Sequence, residues 1–187
     1  MSALAQVISG GQTGVDQAAL RAALACGIER GGWCPPGRDS EAGPIPEDLP
    51  LIETPLDRSP DAPDVPRSLR TEWNVHDSDA TLVLRPASVT RRDPGTEWAI
   101  RCAARLGRPV LVSDPEDPDA PANICRWIDA LPIRTLHVAG PAESACPGIG
   151  ALAERTLERA FALAGGHPDR SRGTARDAGD DLAARGR

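Results

Sequence analysis

A phosphate group asks a protein for backbone N–H donors, hydroxyls and room for close approach. The run VISGGQTGVDQAAL, residues 7–20, carries the residue types for all three. Gly10, Gly11 and Gly14 permit positive φ and keep Cβ atoms out of a ligand's way. Thr13 adds a hydroxyl and Gln12 an amide. The run matches neither the Walker pattern, since no Lys follows, nor the G-x-G-x-x-G spacing. A tight turn capped by Thr13 and holding nothing is the competing explanation. Two later stretches have similar chemistry: Gly95 and Thr96 in DPGTEWAI, and Gly140, Pro141, Glu143 and Ser144 in AGPAES.

The flanking residues say where these turns sit. Residues 5–8 are short, apolar and partly β-branched, which predicts a buried strand. Over 15–26, Val15, Ala18, Ala19, Ala22 and Ala23 form one helical stripe that stops at Gly27. Residues 9–14 are therefore a strand-to-helix turn, where unpaired amides and the helix dipole favour an anion.

Farther along, 31–34 predicts a short strand, and 35–50 is a Pro- and Gly-rich excursion too irregular for regular structure. A strand over 51–53, a flexible stretch over 57–66 and a short helix within 67–79 follow, the helix with Leu69, Trp73 and Val75 as its apolar face. The remaining pattern alternates: strand 81–84, helix within 93–107 with Trp98, Cys102 and Leu106 inward, and strand within 108–114. It continues with helix 122–131 begun by Pro121, strand 135–139 and helix 149–164. Such alternation predicts an α/β fold of three layers with a mainly parallel central sheet. In these sheets ligands bind beyond the carboxyl ends of the strands. All three glycine turns fall on that edge, which favours an anion site over three unrelated caps.

The chain of 187 residues reads as one domain, 1–165, with a polar, disordered tail, 166–187. Its formal net charge of −6, with Arg as the sole strong base, argues against nucleic acid as the main partner. No apolar run reaches membrane-spanning length, and residues 1–8 lack a signal-peptide pattern, so the expected location is cytoplasmic with no membrane partner. The five cysteines are scattered without a C-x-x-C pair, as expected for reduced thiols, and no metal site is assigned. Cys34 has no base placed by sequence, and His137, inside a strand, reads as a core residue.

Five segments in this order, ISGGQTGVDQAAL, GGWCPPGRDSEAGPIP, RTEWNVHDSDATLVL, PGTEWAI and HVAGPAES with PGI, resemble the molybdenum-cofactor carrier proteins. These belong to a Rossmann-like superfamily that also holds the cytokinin-activating phosphoribohydrolases, once called lysine decarboxylase-like. The resemblance spans about residues 5–164. It implies a Rossmann-like fold, a homo-oligomer (dimer or tetramer) and binding of the molybdenum cofactor, a phosphorylated pterin bearing a molybdenum-dithiolene. Molybdoenzymes or cofactor-synthesis proteins would be its partners.

By the same resemblance, Gly10, Gly11, Gln12, Thr13 and Gly14 form the first phosphate turn, Gly95 and Thr96 the second, and Gly140, Pro141, Glu143 and Ser144 the third. Residues 31–38 would edge the pocket. A pterin wants donors and acceptors along its edge, for which Gln12, Asn74, Asp77 and Arg38 are candidates, and a face, for which Trp33 is one. Ordinary roles compete: Trp33 as core filler, Arg38 as surface charge, Asp77 and Asp79 as turn formers.

Two other functions use the same turns. A nucleotide N-glycosidase of the phosphoribohydrolase kind has a Glu separated from its Gly-Thr by two residues, and Ala99 stands there in this chain. Glu97 is displaced by roughly 200° of helix from that position, at about 100° per residue, so it is a poor substitute. A non-catalytic sensor of a nucleotide derivative is the third possibility. The reading is a carrier with no catalytic residues assigned. Removing residues 166–187 is expected to leave the melting temperature unchanged, whereas a large drop on truncation at Gly165 would show that the tail packs.

Overall fold

In the computed structural model, residues 4–90 and 92–165 are described, and the tail expected from residue 166 onward lies outside them. In chain order the elements are β1 (Gln6–Ile8), α1 (Val15–Ala25), β2 (Glu29–Gly31) and β3 (Trp33–Cys34). A 3-10 turn (Pro36–Arg38), β4 (Asp39–Ser40), β5 (Gly43–Pro44) and β6 (Ile52–Glu53) follow. Next come α2 (Ser68–His76), β7 (Ala80–Leu84), α3 (Pro94–Arg105) and β8 (Val110–Ser113). The last are α4 (Ala120–Ala130), β9 (Thr135–Ala139) and α5 (Ile149–Gly165).

Five of the strands form one parallel sheet in the order β2-β1-β9-β7-β8. β7, in the interior, is buried at every residue, as a strand covered on both faces must be. β9 is last in sequence yet central, and counting from it gives the doubly wound order 3-2-1-4-5. α1, α4 and α5 pack together with Val7, Leu82, Leu136 and Val138 on one face. α2 and α3 pack on the other, where Val75, Trp98, Ala99 and Ala139 make a second core. β9 therefore feeds a helix on one face and β7 a helix on the other, so the topological switch lies between them. Among the described residues no helix is long and apolar enough to cross a membrane.

Three local expectations need correction. Residues 35–50 are not without regular structure: they hold the 3-10 turn and an antiparallel β4–β5 hairpin. The organiser is Arg38, whose guanidinium donates to the carbonyls of Ile45 (3.3 Å), Pro46 (2.8 Å), Leu49 (3.0 Å) and Leu51 (3.1 Å). One side chain thus replaces a backbone ladder, over a small core of Leu20, Cys34, Ile45, Leu49 and Leu51. Residues 57–66, expected to be flexible, bury Ser59 and Ala62, with Ser59 N–H donating to Ser68 Oγ at 2.8 Å and Ser68 Oγ to Ala62 O at 2.9 Å. Leu106, expected inward, is 46% exposed because α3 ends at Arg105.

His137 is fully buried on β9, its Nδ1 at 3.3 Å from Thr81 Oγ1 and its Nε2 without a partner among the described residues. Burial, with the nearby Arg70 charge, pushes its pKa from 6.5 down to about 3. Between those values the unfolded chain binds a proton that the folded chain does not, so stability is lost as pH falls below 6.5. At pH 5 this amounts to about 2 kcal/mol. A His137→Asn variant should therefore lose about 2 kcal/mol less than wild type between pH 7 and pH 5 in urea denaturation. Identical pH dependence in the two proteins would refute it.

Candidate functional site

The turn after β1 is anchored by Ser9, whose Oγ donates to Val138 O at 2.7 Å on the neighbouring β9. Arg70 reaches from α2 across Gly10 to Asp16 Oδ2, 2.7 Å away, and both side chains are nearly buried. A Cβ on Gly10 would overlap that guanidinium. Asp16, in the first turn of α1, also accepts from Gln12 N–H at 3.3 Å. Burial pushes the Asp16 pKa up, with Arg70 and the Gln12 amide pulling against it.

The other two glycines of the turn also face protein. A Cβ on Gly11 would stand 2.5 Å from Leu51 Cδ1, and one on Gly14 would stand 2.5 Å from Pro141 O. The space that the sequence appeared to leave for a ligand is thus taken by Arg70, by Leu51 with Ile45, and by the backbone at residues 141–143. Of the turn's side chains, Gln12 is buried and Thr13 is the one that is partly exposed.

The turn after β9 interlocks with it. Val15 N–H donates to Pro141 O at 3.2 Å and Glu143 N–H to Thr13 Oγ1 at 3.2 Å. A Cβ on Gly140 would stand 2.6 Å from Val15 Cγ2. The Glu143 carboxylate accepts from the Gly148 and Gly150 amides, which caps the start of α5. Ser144 points instead to Glu41 on the β4–β5 hairpin. That carboxylate accepts from Ser144 N–H (3.0 Å), Ser144 Oγ and Thr13 Oγ1. Burial alone would raise the Glu41 pKa, but these hydrogen bonds and the Arg67 charge hold it below the ordinary carboxylate range. Gln12 holds the hairpin in place, donating from Nε2 to Asp39 O (3.0 Å) and accepting from Glu41 N–H (3.4 Å). Glu41 was not among the sequence-predicted residues. An acidic side chain inside a long irregular loop carries no sequence signal of this role.

The Gly95-Thr96 turn is closed by its own cap. Asp93 Oδ2 accepts from Thr96 N–H (2.7 Å) and Thr96 Oγ1 (2.8 Å), so the anion position at the start of α3 holds a protein carboxylate. Glu97 is held by Arg85 (2.7 Å) and Arg92 (3.0 Å), and Ala99 is fully buried.

Four residues expected along a pterin are engaged elsewhere. Arg38 is the loop clasp already described. Asn74 clamps the Trp33 backbone, its Oδ1 accepting from Trp33 N–H and its Nδ2 donating to Trp33 O, both at 2.9 Å. Trp33 Nε1 donates to Asp77 Oδ2 at 2.7 Å, and its ring meets Trp73 edge-on at 4.7 Å. Trp33 and Asp77 line a cavity of about 310 Å³ between α2 and α3, with Trp73, Cys102 and Arg105. Burial pushes the Cys102 thiol there up to about 12. Asp79 is the turn former that one reading gave, accepting from the Arg134 and Thr135 amides at 2.8 Å each. All five cysteines are free, and Cys34 is wholly buried in the loop core. The structure thus gathers Gln12, Thr13, Glu143 and Ser144, and separates Trp33 and Asp77 into another cavity.

Residues 7–161 match the family model described as the circularly permutated YpsA SLOG family. The permutation is visible in the sheet, where the doubly wound order appears once counting starts at β9. A crystal structure from Syntrophus aciditrophicus SB, described as a "Putative molybdenum carrier protein", is similar at a TM-score of 0.73 and 32% identity. The match covers 86% of this chain and 96% of that one. No curated protein matches the chain.

The interlock of the two turns makes Gly14 demanding. Its φ of 75° with ψ of −126° is a glycine-only conformation, and its Cβ position is filled. Gly14→Ala should cost about 1–3 kcal/mol from the backbone and more from the overlap. Gly37→Ala, at φ +70° in open space, should cost only about 1–2 kcal/mol. Equal losses in urea denaturation would show that the turns are not locked together.

Proposed function

Because the chain belongs to the circularly permutated YpsA SLOG family, we propose that it binds, stores and carries the molybdenum cofactor as its cargo. The cofactor's phosphate would be held where the first and third glycine turns meet. One observation carries the reading: Thr13 Oγ1, Ser144 Oγ and Ser144 N–H converge on a single anionic group at the carboxyl edge of the sheet. The family match and the name given to the related crystal structure support the cargo's class. A hydrogen bond of this kind contributes ~0.5–1.5 kcal/mol, more to a charged group, so micromolar binding draws on several.

A carrier is favoured over a nucleotide N-glycosidase by Ala99, which is buried where the hydrolase pattern has a Glu. It is favoured also by Glu97, which two arginines hold. A sensor of a nucleotide derivative would use the same donors, and the small molecule that copurifies decides between them. The proposal carries with it a cytoplasmic homo-oligomer, dimer or tetramer, that exchanges cargo with molybdoenzymes or cofactor-synthesis proteins.

The test titrates molybdenum cofactor against wild type and the Thr13→Ala, Ser144→Ala and Glu97→Gln variants, with folding followed by circular dichroism. Each lost hydroxyl should weaken binding by ~0.5–1.5 kcal/mol, and Glu97→Gln should leave it unchanged. Unchanged affinity in the Thr13→Ala/Ser144→Ala double variant would overturn the phosphate role. Release of free base from a nucleoside monophosphate, abolished by Glu97→Gln, would replace the carrier with a hydrolase.

A further inference from the structure

All the donors that make the anion site attractive are already in use. Thr13 Oγ1, Ser144 Oγ and Ser144 N–H each bond one side chain, the carboxylate of Glu41. Building on the phosphate-site reading above, we propose that Glu41 is an intramolecular competitor for that site. The incoming phosphate must displace it. It thereby sets an affinity threshold that free inorganic phosphate fails and a larger phosphorylated ligand passes.

Three features support this assignment. A carboxylate presents two acceptor oxygens to hydroxyls and an amide much as a phosphate does, so the two groups suit the same donors. Glu41 is exposed and sits at the tip of a hairpin whose strands are two residues each, so its side chain can leave by rotation while the hairpin stays. The hairpin itself is held independently of the carboxylate. Gln12 bonds its backbone at Asp39 O and Glu41 N–H, Arg67 pairs with Asp39 at 2.6 Å, and Ser40 Oγ closes it onto Gly43 O at 2.6 Å. The competitor therefore stays at high local concentration whether or not it is bound.

The consequence follows from population arithmetic. If the carboxylate fills the donors most of the time, the apparent affinity of every anion falls by the fraction of molecules in which they are free. A ligand with no other contacts, such as inorganic phosphate, is then excluded. A ligand with a large body anchored elsewhere absorbs the same penalty and still binds. After displacement the Glu41 charge remains close to the bound phosphate, which favours release.

The experiment is calorimetric titration of inorganic phosphate into the full-length wild type and the Glu41→Ala, Glu41→Gln and Glu41→Ala/Ser144→Ala variants. Glu41→Ala should bind phosphate about tenfold or more tightly than wild type. Glu41→Gln, an isosteric change that preserves the hairpin, should also bind more tightly. The gain should vanish when Ser144→Ala is added. A gain that persists in the double variant would reveal general charge repulsion and overturn the competitor role. Phosphate affinity no tighter in either single variant than in wild type, in a wild-type protein that binds molybdenum cofactor, would overturn it while leaving the phosphate-site reading standing. Failure of wild type and variants alike to bind either phosphate or molybdenum cofactor would remove both.

Discussion

Arg70 crosses from α2, over the bare backbone of Gly10, to a carboxylate in the first turn of α1. The 2.7 Å pair it makes with Asp16 is nearly sealed from solvent. Removing one partner of such a pair costs on the order of 3–5 kcal/mol, because the other is left charged and buried. The pair does more than hold. It joins a helix on one face of the sheet to a helix on the other, over the carboxyl end of β1. It also demands a glycine at position 10 and ties down the Gln12 amide. Much of what looks like a ligand cradle in the sequence is the footprint of this internal contact.

The same solution recurs along the edge. Asp16 lies in the first turn of α1, Asp93 caps α3 and Glu143 caps α5. Each of these three helix starts has recruited a carboxylate of its own, as the dipole there favours. A phosphate bound as proposed would consequently not meet a bare N-terminus at any of these three helices. The donors left over are lateral ones, Thr13 and Ser144, brought side by side because β1 and β9 pair with Ile8 opposite His137. Here too a carboxylate, Glu41, is in residence. Glu41 already satisfies these donors, so on the proposed reading phosphate binding is an exchange of anions.

A shared scaffold leaves room for different chemistries at this edge. The doubly wound order, entered at β1 rather than β9, keeps the switch between β9 and β7 at the usual place. Beyond β7, Arg85 and Arg92 hold Glu97, and the buried Ala99 supplies no carboxylate. The loop that follows β2 is organised by Arg38 and so belongs to the scaffold, while its hairpin tip reaches the site.

Sequence by itself determined the alternation of strands and helices, the parallel sheet, and the edge on which the glycine turns lie. These follow from local patterns: the apolar run 81–84, the alanine stripe of α1, and glycines next to strand ends. It did not determine which side chains fill the turns. Asp16 with Arg70 spans 54 residues, Thr13 with Glu41 spans 28 and Glu41 with Ser144 spans 103. An arginine bound for four carbonyls looks the same in one dimension as an arginine bound for a phosphate. The separation of Trp33 and Asp77 from the turns was equally invisible, because it depends on β3 being held against α2 by residues some forty positions away. Secondary structure is written in near neighbours, whose spacing the backbone repeat dictates. Partners are chosen only when packing brings distant donors and acceptors together and excludes the water that would otherwise satisfy them.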